Sequence, residues 1–115
     1  MDSIRKHVCL MRIPFAHSAL HTLQSLAMQM PGKYSNVKFP FYGGSSHLGM
    51  LFLTRTDSPA GTIAGRIQQV SDDAIEASLM NPMPDKDAAL KELLTPLLEA
   101  YAGQYPSETL TPEYQ

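Results

Sequence analysis

Apolar and polar positions along this chain change their spacing several times, and each change marks an expected element. From Lys6 to Ile13 both alternating sets are apolar, Val8 and Leu10 against Cys9, Met11 and Ile13. That pattern predicts a strand covered on both faces. After Pro14 the spacing becomes helical, with Leu20, Leu23, Leu26, Ala27 and Met30 recurring until Pro31-Gly32, and predicts the first helix. Val37, Phe39 and Phe41 then alternate with Lys38, Pro40 and Tyr42. Proline cannot donate to a ladder, so this second strand is expected at a sheet edge.

Gly43-Gly44-Ser45-Ser46 reads as a hairpin turn into a third strand, His47–Thr54, again apolar on both sides. Asp57-Ser58-Pro59 has the composition of a helix start, and Ala60, Ile63, Ile67 and Val70 supply a helical stripe. Ile75, Ala77 and Leu79 alternate with Glu76 and Ser78 in a half-exposed fourth strand, ended by Asn81-Pro82-Met83-Pro84. A last helix is expected from Asp85 or Asp87 through Leu90, Leu93, Leu94, Leu97, Leu98 and Tyr101, kinked or split at Pro96.

The order βαββαβ plus a terminal helix predicts an α+β fold of the ferredoxin-like sandwich type. It would have a four-stranded antiparallel sheet in the order 4-1-3-2, strands one and three central, and an additional C-terminal helix. Residues 1–103 form one domain in this reading and 104–115 a flexible polar tail. Two helices cover one sheet face only. An apolar second face then needs the terminal helix or a second subunit over it, and a homodimer is the expected partner.

The composition of the 115 residues, 43% apolar and 17% charged, is that of a folded chain. The single thiol, Cys9, excludes an internal disulfide. The opening Met1–Lys6 leads into an apolar stretch broken by Arg12 and Pro14, which predicts neither a leader nor a membrane span and favours the cytoplasm. Charge is polarised: residues 1–66 hold seven Lys/Arg against two Asp/Glu, and residues 67–115 two against nine. Ordinary solvation accounts for such drift. Its sharper reading is an anionic partner for the basic half, or complementary faces in a dimer.

Candidate chemistry is sparse. His17 and His21, at i and i+4, share a helix face, which is a geometry able to hold a metal, but they project away from the apolar stripe and read as solvated; no metal and no cofactor is expected. His7 and His47 open strands one and three, where they would meet if those strands were neighbours. Cys9 reads as core. A pocket or interface on the second sheet face would draw on His7, Cys9, Met11, Arg12, Tyr42, His47, Gly49, Leu51 and Leu53. An anion could sit at the second helix start on Arg55, Ser58, Ala60 and Gly61. Gly61 and Gly65 leave room for a closely packed helix or ligand.

RNA-recognition motifs share the expected strand order, but they stack bases on two aromatics of the third strand and one of the first. Here those strands offer Phe52 alone and Cys9, so nucleic acid is not the expected partner. The function expected is a homodimeric small-molecule-binding or protein-interaction module rather than an enzyme. The alternatives are a small dimeric α+β-barrel enzyme using Arg12, His7, His47 and Tyr42, or a nucleic-acid binder using the basic half.

Overall fold

The computed structural model describes residues 7–40, 49–108 and 110–115. Its elements are β1 (Val8–Arg12), α1 (Ala16–Met28), β2 (Tyr34–Lys38), β3 (Met50–Arg55), β4 (Ile63–Ser71), β5 (Ala74–Leu79), α2 (Lys86–Gln104) and β6 (Pro112–Tyr114). The strands form one antiparallel sheet in the order β2-β3-β4-β5-β1-β6. The α+β class and the antiparallel sheet agree with the sequence; the four-stranded ferredoxin-like order does not, and two helices stand where three were expected. Tyr42, the expected turn at Gly43–Ser46 and His47 lie outside the described residues.

The departure begins at residues 60–70, expected as a helix and found as β4. Ile63 and Ile67 are four apart, a spacing that satisfies one face of a helix and one face of a strand equally well. Local preference decides. Gly61 and Gly65 each cost a helix about 1 kcal/mol relative to alanine, and Thr62, Ile63, Ile67 and Val70 are β-branched. The chain turns at Gly61, whose φ of 100° lies in the left-handed region. β4 then pairs directly with β3, Arg55 opposite Ile63 and Leu51 opposite Ile67.

With that helix gone, the final helix takes its place beside α1. Asp85 caps α2, its side chain accepting from the Ala88 amide at 3.1 Å. The expected additional C-terminal helix is therefore α2 itself. After Gly103, where a loose tail was expected, Pro112–Tyr114 extends the sheet beside β1, and Val8 and Gln115 exchange two backbone hydrogen bonds.

Both helices lie on one face. Cys9, Met11, Leu51, Leu53, Ile63, Ile67, Ile75 and Ala77 point toward them and are buried, as are Leu20 and Leu23 of α1 and Leu90, Leu93, Leu94 and Leu97 of α2. Gly65 makes the close approach of α2 to β4 possible: a Cβ there would stand 2.2 Å from Leu93 Cδ2. The expectation that Gly65 admits a packed helix holds, although it sits on a strand.

Pro96 does not end α2, which runs unbroken from Lys86 to Gln104. Proline has no N–H to offer the carbonyl four residues back, that of Glu92. Arg55, on the helix-facing side of β3, supplies the missing donor by reaching the Glu92 carbonyl with Nη1. Tyr34 of β2 donates its hydroxyl to the next carbonyl, Leu93, at 2.6 Å. A defect in the last helix is thus satisfied from two strands.

Candidate functional site

The sheet face away from the helices carries the other alternating set. β1 presents Val8, Leu10 and Arg12 there, β3 presents Met50, Phe52 and Thr54, and between them stand Arg66 and Gln68 of β4 and Glu76 and Ser78 of β5. The register lines these up in rows. Lys38, Phe52, Arg66, Ser78 and Val8 form one, and Met50, Gln68, Glu76, Leu10 and Glu113 the next. The cations Lys38 and Arg66 fall on the β2–β4 side; Glu76 and Glu113 fall on the β5–β6 side with Arg12. Arg66 Nε is buried without a hydrogen-bond partner among the described residues.

This arrangement redistributes the residues expected at the pocket or interface. Cys9, Met11, Leu51 and Leu53 are 0–1% exposed beneath the helices, and Gly49 is buried. The strand patterns are apolar on both sides, so alternation alone does not say which set meets the helices; a one-residue change of reference exchanges the two completely. Arg12 does lie on the open face, exposed at the end of β1. His7 sits at the opposite end, with Nδ1 3.5 Å from Asp87 Oδ1 of α2. Five residues of strand separate the two by roughly 16 Å, so they do not converge. β1 and β3 are not neighbours either, since β5 and β4 stand between them. Burial pushes the Cys9 thiol up to about 11, leaving it a core group with little thiolate at neutral pH.

The expected anion site has lost its helix terminus. Arg55 donates from Nε to Asp57 Oδ1 at 2.8 Å and lies 3.7 Å from Glu92 Oε1. Ser58 donates to Glu92 Oε1 at 2.8 Å and accepts from the Ala60 amide at 3.0 Å. Lys33 reaches Asp57 Oδ2 at 3.2 Å. Gly61 serves the turn. The groups meant for an anion are bonded to carboxylates of the chain itself, and Arg55 and Lys33 hold the Asp57 carboxyl below its ordinary range.

A second polar cluster involves the histidines expected to be solvated. Both are exposed on α1, as expected, but neither is without contacts. His17 Nδ1 lies 3.3 Å from Gln69 Oε1, and His21 Nε2 lies 3.2 Å from His17 Nε2. Gln69, only 4% exposed, is oriented by its own bonds: Nε2 donates to the Ser71 carbonyl at 3.1 Å, and the Gly49 amide approaches Oε1 at 3.5 Å. With Oε1 fixed as acceptor, His17 carries its proton on Nδ1, so its Nε2 accepts from His21. The His21 ring stacks on Phe39 at 4.2 Å with planes 15° apart. Desolvation, and then the neighbouring His17, lower the His21 pKa.

Beside this cluster is an open cleft of about 470 Å³ lined by Pro14, Phe15, Ala16, His17, Ser18, Gln69, Asp72 and Asp73. Phe15 begins α1 in a left-handed conformation, φ 56° and ψ 54°, and is 81% exposed. The turn between β4 and β5 anchors this corner, its Asp72 and Asp73 carbonyls accepting from the Ala16 and Ile13 amides at 2.9 Å. The i, i+4 histidines were visible in the sequence. Their partners Phe39, Gly49 and Gln69 come from distant parts of the chain, and no sequence signal joins them.

Among the described residues, no helix is long and apolar enough to cross a membrane. Comparison with known protein families, with curated proteins and with solved structures finds no match.

Proposed function

We propose that the protein is a binding module that works as a homodimer, two copies meeting through their open sheet faces. The observation carrying this reading is the segregation of groups across that face. A two-fold axis running along the strands between β4 and β5 would lay β3 of one copy over β1 of the other. Met50 and Phe52 would then meet Leu10 and Val8, and the Lys38–Arg66 side would meet the Glu76–Glu113 side. Such self-complementarity is what an isologous interface requires.

The dimer would leave the cleft beside His17 free at the sheet end, and about 470 Å³ is within the range of small-ligand pockets. Light scattering after size exclusion should give twice the chain mass at micromolar concentration. Phe52→Glu should give monomers with an unchanged circular dichroism spectrum. A monomeric wild-type protein at every concentration refutes the reading, as does a Phe52→Glu variant that stays dimeric.

A further inference from the structure

The two imidazoles of α1 are arranged for more than a hydrogen bond. Their Nε2 atoms stand 3.2 Å apart. An ion bonded to both, at metal–imidazole lengths of about 2.0–2.1 Å, would subtend about 100° at that separation. This lies between the right angle of square-planar or octahedral sites and the tetrahedral value. The ring centroids are 4.8 Å apart with planes at 71°. A collinear N–H···N contact of this length would hold the rings farther apart. The ring axes therefore bend off the line joining the nitrogens, a geometry compatible with an ion to one side of that line.

The surrounding groups fix both rings. His17 gives its Nδ1 proton to Gln69 Oε1, leaving the lone pair on Nε2. Metal-bound histidines are held in this manner, their second nitrogen donating to an oriented oxygen. Phe39 fixes the plane of His21 by stacking on it. Gly49 makes the seat: a Cβ there would stand 2.8 Å from Phe39 Cζ and 3.2 Å from His17 Nδ1. Residues of β4, of the segment after β2 and of the segment before β3 thus converge with α1 on a pair of exposed imidazoles.

We propose that His17 and His21 form a two-coordinate protein site for a divalent transition ion that favours imidazole, such as Zn²⁺, Ni²⁺ or Cu²⁺. Among the described residues no third His, Cys, Asp or Glu joins them, so water or a small ligand completes the shell. Binding moves the His21 proton from Nε2 to Nδ1 through solvent and leaves His17 in the form it already has. The order of affinity follows the general one for nitrogen ligands, Cu²⁺ tightest.

The test uses the untagged 115-residue chain. Calorimetric titration with Zn²⁺ should show one saturable equivalent, weakened more than tenfold in His21→Gln, a helix-surface change that leaves the circular dichroism unaltered. Substoichiometric Cu²⁺ should broaden the ring proton signals of His17 and His21 in the wild-type protein before those of His7 and His47, a readout that needs no variant. Gln69→Met should weaken binding about tenfold while both histidines remain, as expected when the group behind a ligand is lost. No saturable Zn²⁺ binding, undiminished binding by His21→Gln, or first broadening at His7 or His47 overturns the proposal. None of these outcomes depends on the oligomeric state.

Discussion

Replacing Arg55 by methionine keeps most of the aliphatic stem and removes every donor that side chain offers to α2 and Asp57. The Arg55 side chain is 11% exposed, and its guanidinium is paired with Asp57 and Glu92 and donates to the Glu92 carbonyl that Pro96 leaves without an amide partner. A hydrogen bond involving a charged group contributes about 1.5–3 kcal/mol, and abandoning an acceptor in a poorly hydrated place adds to the loss. Arg55→Met should therefore destabilise the protein by about 3 kcal/mol. If the reason is the gap at Pro96, the penalty must shrink once that gap is closed. In Pro96→Ala the new amide at position 96 can bond to Glu92, and Arg55→Met in that background should cost about 1 kcal/mol less. Urea unfolding of the four proteins at one fixed concentration measures this; with a slope near 1.5 kcal/mol/M, the coupling corresponds to about 0.7 M in midpoint. Additive effects of the two substitutions would refute the bond-replacement argument and leave Arg55 with a role toward carboxylates alone.

Gly65→Ala should cost about 1–2 kcal/mol, because the added methyl overlaps Leu93 Cδ2 in a filled core; Leu93→Ala should recover part of it, and equal stability of Gly65→Ala and wild type in urea would contradict the packing. Asp57, whose carboxyl is held below its ordinary value of 3.8 by bonds from Arg55 and Lys33, contributes stability that is complete above that value and lost as pH falls through the folded-state one. Urea midpoints between about pH 6 and pH 3 should decline less steeply for Asp57→Asn than for the wild-type protein, and parallel profiles would count against the linkage.

What could be read in advance follows from how far apart the deciding residues are. β1, α1, the β3 strand and α2 announce themselves within their own segments, through local spacing and the Asp85 cap. The β4 segment reads as a helix because isoleucines four apart suit either element and Asp-Ser-Pro invites a helix start; the deciding information lies in Gly61 and Gly65, each costing a helix about 1 kcal/mol. One misassigned segment then changed the whole topology: a strand in place of a helix pairs with β3, sends the chain on through β5 to β1, and leaves α2 as the second covering helix. β6 was illegible for a different reason, since a polar three-residue strand has no pattern of its own and exists only because β1 offers an unpaired edge.

The open face and the histidine site failed or survived on the same account. Alternation with both sets apolar specifies a strand but not which set meets the helices, so Cys9, Met11, Leu51 and Leu53 were exchanged with Val8, Leu10, Met50 and Phe52. Only tertiary packing breaks that symmetry, and it does so at Arg55: on β3 this residue shares the face of Leu51 and Leu53, and there alone can it reach the carbonyl freed by Pro96. Fixing Arg55 inward fixes Phe52 and Met50 outward. The register that carries Gln69 of β4 inward, to the base of His17, is continuous with it through the pairing of Leu53 with Gly65. The satisfied defect in the middle of α2, the outward apolar rows and the oriented imidazole pair are therefore consequences of a single choice of strand face.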